Sequence, residues 1–124
     1  MSTLVFVYGT LKQGHCNHRI MQMDDAAPSE LVMRDATIKG DLYDLGPFPA
    51  AVESKSGKIN GEVWDVSNQT VRHLDRLEGH PDFYKRKKVL ILGTNWHAWA
   101  YFMPEAPKDA VPLPVGNWSD QRRN

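Results

Sequence analysis

The order of apolar and polar positions along the chain predicts strands before anything else. Leu4-Val5-Phe6-Val7-Tyr8 is an unbroken apolar run ended by Gly9, and its length and its β-branched and aromatic content suit a strand buried on both faces. Asn17 to Met23 reads as a short helix with Ile20 and Met21 inward. Thr37 to Tyr43 alternates weakly and predicts one strand, after which Gly46-Pro47-Phe48-Pro49 turns the chain sharply. Ile59 to Val66 alternates again, with Val63 and Trp64 on opposite faces. The clearest helix follows. Ser67 or Asn68 can cap it, Val71, Leu74 and Leu77 supply an apolar stripe, and Gly79 followed by Pro81 ends it. Tyr84 to Leu92 and Trp96 to Met103 then form two strands around a Gly93-Thr94-Asn95 turn. The prolines at 104, 107, 112 and 114 mark a tail expected to wrap the body as irregular chain. The pattern predicts an α+β fold, a small mixed sheet curled into a β-barrel with one main helix packed on it.

Composition narrows this without redirecting it. At 124 residues the chain has room for one core, so residues 1–124 are expected to form a single domain with residues 104–124 as its proline-rich tail. Fifteen basic and fifteen acidic side chains balance, which argues against a dedicated nucleic-acid binder. The single cysteine, Cys16, excludes an internal disulfide framework and fits a reducing compartment. No apolar run approaches the roughly 20 residues that span a bilayer, and no basic segment precedes an apolar stretch at the N-terminus. A soluble, cytoplasmic protein without membrane partners is the expectation.

Candidate chemistry begins on the helix. At about 100° per residue, Val71, Leu74 and Glu78 share one face, so Glu78 falls on the buried stripe. A carboxylate there is costly unless it is satisfied or used. It also stands in the last helical turn, where the dipole disfavours negative charge. Burial and dipole both raise a carboxyl pKa towards the range a general acid/base needs. The competing reading is a glutamate at a frayed helix end with its head in water. Asp75 lies at the edge of the same stripe and reads more simply as a solvated partner of Arg72 or Arg76. A second candidate is the turn Tyr8-Gly9-Thr10-Leu11. Gly9 permits positive φ and carries no Cβ, so consecutive backbone N–H groups could converge there on an anion.

These two features belong to a recognisable pair of motifs. Phe6-Val7-Tyr8-Gly9-Thr10-Leu11-Lys12, with Gly14 and Asn17-His18-Arg19 behind it, resembles the opening of the γ-glutamylcyclotransferase-like superfamily. Gly61 to Val66, then Leu74 to Pro81 and Tyr84-Lys85-Arg86, resemble its second signature, and order and spacing agree over about residues 4 to 103. The γ-glutamylamine cyclotransferases and their AIG2-like relatives look like the closest branch. The resemblance implies a mixed β-barrel with short flanking helices. It makes Tyr8, Gly9, Thr10 and Leu11 the loop that cradles the substrate's α-amino-acid end, Glu78 the catalytic glutamate, and Tyr84 and Tyr101 cavity-lining tyrosines. Trp64 stands where relatives often carry tyrosine. The implied reaction releases 5-oxoproline and a free amine by attack of a neutralised α-amine on its own γ-carbonyl, with no metal and no cofactor. A short chain with this loop leans towards γ-glutamyl-amines, such as a γ-glutamyl-lysine isopeptide, over glutathione.

Other signals weigh less. Cys16 between His15 and His18 suggests a nucleophile or part of a metal site, but no second Cys/His pair stands at ligand spacing. Lys85-Arg86-Lys87-Lys88 reads as a guarded edge strand rather than a nucleic-acid surface. His73 and His80 read as surface histidines, though His80 could tune Glu78, and Trp96, Trp99 and Trp118 as core or tail packing. The pocket for the leaving group is expected in loops at residues 24–36 and 44–58 and in the tail. The alternative to an enzyme is a non-catalytic domain that binds a γ-glutamyl or amino-acid-like ligand. An oligonucleotide-binding barrel is a distant third.

Overall fold

The computed structural model describes residues 2–15, 17–24 and 26–118. β1 (Ser2–Val7) is the third strand of a five-stranded sheet. It pairs antiparallel with β5 (Lys58–Ser67) and parallel with β7 (His97–Phe102). β2 (Glu30–Lys39) and β6 (Lys85–Leu90) are the two edges. A second sheet of three strands holds β4 (Pro49–Val52), β3 (Asp41–Asp44) and β8 (Val111–Pro112), in that order. α1 (Asn68–Glu78) follows β5, and a short 3₁₀ helix spans His18–Gln22 with Met21 buried.

The central strand has the two buried faces its composition predicts. Val5 and Val7 join Trp64, Val66, Val71 and Leu74 in a core that includes the helix. Phe6 and Tyr8 join Ile38, Ile59, Val63 and Phe102 in a second core, which reaches Leu42 and Ala51 of the smaller sheet. Strand alternation therefore sends adjacent residues of β1 and β5 into different cores, and Val63 and Trp64 separate as expected.

Several expectations need correction. The mixed sheet with one main helix is present, but it does not close into a barrel. The lysine-bearing strand β6 ends the sheet, and Leu92 N–H donates to Thr37 O (2.9 Å) across the gap without extending a ladder. Thr37 to Tyr43 is not one strand: the chain turns at Gly40 (φ 153°) and its two halves enter different sheets. Residues 30–36 belong to β2 and residues 49–52 to β4, so neither stretch is loop. Leu77 is 40% exposed and leaves the helix stripe to Val71, Leu74 and Thr70. The tail contributes β8 to the smaller sheet and buries Trp118.

Candidate active site

The site forms where β1 leaves the sheet. A cavity of about 340 Å³ is lined by the turn Tyr8–Leu11, by Pro47, Phe48 and Pro49 ahead of and at the start of β4, by Leu77 and Glu78 at the end of α1, and by Phe83, Tyr84 and Tyr101. The candidates Tyr8, Gly9, Thr10, Leu11, Glu78, Tyr84 and Tyr101 thus surround one space.

Glu78 owes its position to how α1 begins and ends. Ser67 caps the start, its hydroxyl accepting from Thr70 N–H. Gly79 ends the helix in the left-handed region (φ 66°), which a side-chain-bearing residue adopts only with strain. His80 N–H then returns to Asp75 O (2.9 Å), Phe83 N–H to Gly79 O (2.8 Å) and Tyr84 N–H to Glu78 O (3.1 Å). This knot delivers Glu78, Phe83 and Tyr84 to the same cavity. Glu78 is partly buried, and desolvation raises its pKa to about 7. Its charge in turn disfavours ionisation of Tyr8, Tyr84 and Tyr101, which burial already holds well above the usual phenol value. The three phenols stay protonated and donate into the scaffold: Tyr8 to Tyr101 O (2.6 Å), Tyr84 to Pro49 O (2.8 Å) and Tyr101 to Asp75 Oδ1 (2.6 Å).

The turn is held from behind. Gly9 O accepts from Lys12 N–H (3.0 Å), Thr10 O from Asn17 N–H (2.9 Å), and Leu11 O from His18 Nδ1–H (2.9 Å). Asn17 Nδ2 donates to Thr10 Oγ1 (3.0 Å), and buried Glu62 accepts from Gln13 N–H and from Trp64 Nε1–H, both at 3.0 Å. The carbonyls are occupied, while the N–H groups of Thr10 and Leu11 have no protein acceptor among the described residues. Gly9 corrects one expectation. Its φ is not positive; its lack of a Cβ matters because that atom would lie 2.6 Å from Pro49 Cδ and Cγ.

Sequence reasoning missed two supports. Asp75 does not pair with Arg72 or Arg76. It takes Arg86 Nε and Nη2 at 2.9 and 3.1 Å and the Tyr101 hydroxyl, from strands beyond the reach of a helical wheel. Glu62, quoted only as part of a motif, anchors the back of the turn. Among the candidates set aside, His80 Nδ1 accepts Arg86 N–H (3.0 Å), Trp96 is 48% exposed, and Trp64 packs on His18 outside the cavity lining. Cys16 lies outside the described residues. Among the described residues no three His, Cys, Asp or Glu side chains gather to hold a metal, and no helix is long and apolar enough to cross a membrane.

Comparisons with known proteins give the family. The family model for "Gamma-glutamyl cyclotransferase, AIG2-like" matches residues 5–120. A Methanocaldococcus jannaschii protein provisionally named a gamma-glutamylcyclotransferase is 36% identical over 122 residues, covering 95% of this chain and 97% of its own. Bos taurus gamma-glutamylaminecyclotransferase is 32% identical over 97 residues, covering 68% of this chain and 54% of its own. The crystal structure of a Mus musculus AIG2-like protein superposes with a TM-score of 0.80 at 25% identity, covering 97% of this chain and 90% of that one. With a family match across nearly its whole length, the chain belongs to the AIG2-like gamma-glutamyl cyclotransferases and is an enzyme of that type.

Proposed function

We propose that the enzyme cyclises a γ-glutamyl-amine and that Glu78 is its acid/base. The observation that carries this is a partly buried carboxyl, poised near pH 7, facing the same cavity as a turn whose Thr10 and Leu11 N–H groups have no acceptor among the described residues. Ionised Glu78 takes a proton from the substrate α-ammonium, and the neutral nitrogen attacks the γ-carbonyl carbon. The Thr10 and Leu11 N–H groups are suited to the substrate carboxylate or to the developing oxyanion. The tetrahedral intermediate collapses as Glu78 returns its proton to the leaving nitrogen, and the C–N bond breaks. The surplus proton on the ring nitrogen passes through the re-ionised Glu78 to the departing amine, giving 5-oxoproline and the free amine as its ammonium ion. Because attack is intramolecular, much of the acceleration comes from holding the substrate folded. Tyr8, Tyr84 and Tyr101 supply the walls that hold it.

The cavity lining supports that substrate class. Pro47, Phe48, Leu77 and Phe83 are apolar, and Glu78 is the one charged side chain of the cavity lining among the described residues. A leaving group with a carboxylate beside the scissile nitrogen, as in a simple γ-glutamyl dipeptide, would meet no cation there. The Bos taurus relative's name, gamma-glutamylaminecyclotransferase, points the same way.

Release of 5-oxoproline from an ε-lysine isopeptide, simple γ-glutamyl-amines, γ-glutamyl dipeptides and glutathione tests the reading. The amines should lead, and folded Glu78→Gln should lose at least about a hundredfold in kcat. Full activity in Glu78→Gln would contradict its role. No turnover on any compound, with ligand still raising the Tm, would leave a binding domain.

A further inference from the structure

Tyr101 connects the two halves of the cavity, and Asp75 fixes its outer end. Asp75 and Glu78 are three residues apart in the last turns of α1 and so lie on neighbouring positions of one helix face. Tyr101 is 2% exposed. Its hydroxyl donates to Asp75 Oδ1 (2.6 Å), which docks the helix end onto β7. Its carbonyl accepts the Tyr8 hydroxyl (2.6 Å), which docks the start of the Tyr8–Leu11 turn on the same strand. The residue bonded to the helix that carries Glu78 is thus also bonded to the turn.

Asp75 is itself held. Arg86 reaches it from the neighbouring strand through two nitrogens and lies over the Trp99 ring, 4.7 Å from its centroid. A planar guanidinium bonding in this forked way fixes the carboxylate in angle as well as distance. Burial pushes the Asp75 carboxyl up, but the bonds from Arg86 and Tyr101 outweigh it and hold it below its ordinary value. Kept ionised, the carboxylate can only accept, so the Tyr101 proton is directed at it.

We propose that Asp75, clamped by Arg86, is a positioning residue that sets the end of α1 against the Tyr8–Leu11 turn by holding Tyr101 between them. It rests on the reading of Glu78 as acid/base. Loss of the Asp75–Tyr101 bond leaves every proposed reacting group in place but loosens their separation, and reaction rates are sensitive to displacements of that size.

The test measures kcat, KM and Tm for Asp75→Asn, Tyr101→Phe, the double variant and Glu78→Gln on the best γ-glutamyl-amine, well below the lowest Tm. Both single variants should lose about tenfold or more in kcat with KM within about threefold. The double variant should be no slower than the slower single one, since both act through one bond. A fall in Tm with kcat kept within about twofold in both single variants would show a structural role only and overturn the proposal, as would losses that multiply in the double variant. Loss in Glu78→Gln alone leaves the acid/base reading standing and removes the positioning role. Activity retained in Glu78→Gln but lost in the other variants does the reverse.

Discussion

Glu78 is a carboxyl on a helix face that would ordinarily hold an apolar residue, and its effect on stability follows from that. Its folded pKa is about 7 against an ordinary value of 4.5. Between those pH values the unfolded chain has released a proton that the native protein keeps. Stability therefore falls as pH rises from about 4.5 to about 7 and levels off above. Glu78→Gln removes the burden while keeping the shape. The variant should be more stable than the parent at about pH 8, by about 1–2 kcal/mol or a few °C in Tm, and no different at about pH 4. Thermal melts at the two pH values check this. The stripe Val71, Leu74, Glu78 made this residue visible in the sequence, because a helical wheel needs only local spacing. Asp75 was misread for the same reason. Its partners Arg86 and Tyr101 are 11 and 26 residues away, and only the packing of β6 and β7 on α1 brings them together.

At the scale of elements, the site depends on how closely the turn after β1 approaches the start of β4. A methyl group at residue 9 would sit 2.6 Å from two carbons of the Pro49 ring, which has little freedom to move. Gly9→Ala should cost about 1–3 kcal/mol. It should also raise KM, because Phe48 and Pro49 line the cavity beside the turn. Chemical denaturation and initial rates read the two effects. At the other end of α1, Ser67→Ala should cost about 1 kcal/mol through loss of the cap to Thr70. Caps, the final hairpin and the central strand were legible because each is written in neighbouring residues. The break at Gly40 was not. Thr37 to Tyr43 keeps a strand-like alternation across it, and the division into two sheets depends on non-local partners: Ile38 pairs with Ile59, whereas Leu42 pairs with Ala51.

Across the whole molecule the tail braces the site. Trp118 is buried against the core that contains Phe6 and Tyr8, its indole N–H donates to Asp44 (3.2 Å), and its carbonyl accepts Lys12 Nζ (2.7 Å) just beyond the turn. Gly116 O accepts from Asn60 N–H (2.8 Å), and Leu113 N–H donates to Leu42 O (2.8 Å). Proline content alone suggested an irregular wrapping tail and gave no sign of these anchors. Trp118→Ala should cost about 3–5 kcal/mol through loss of the buried indole and its bond to Asp44, as Tm would show. The same long-range logic explains why the expected mixed sheet with one main helix is present and yet only loosely a barrel. The strand count permitted closure, but β2 and β6 remain edges.

The central claim is that Glu78 moves the proton, and the pH dependence of kcat/KM between about pH 5 and pH 9 tests it most directly, with the parent and Glu78→Gln measured side by side. Because the ionised carboxylate is the acting form, the parent's kcat/KM should rise with pH through a midpoint near 7 and reach a plateau above it. In Glu78→Gln the rate should fall at least about a hundredfold and that limb should vanish. A parent profile flat across this range, or the same limb in Glu78→Gln, would contradict the account.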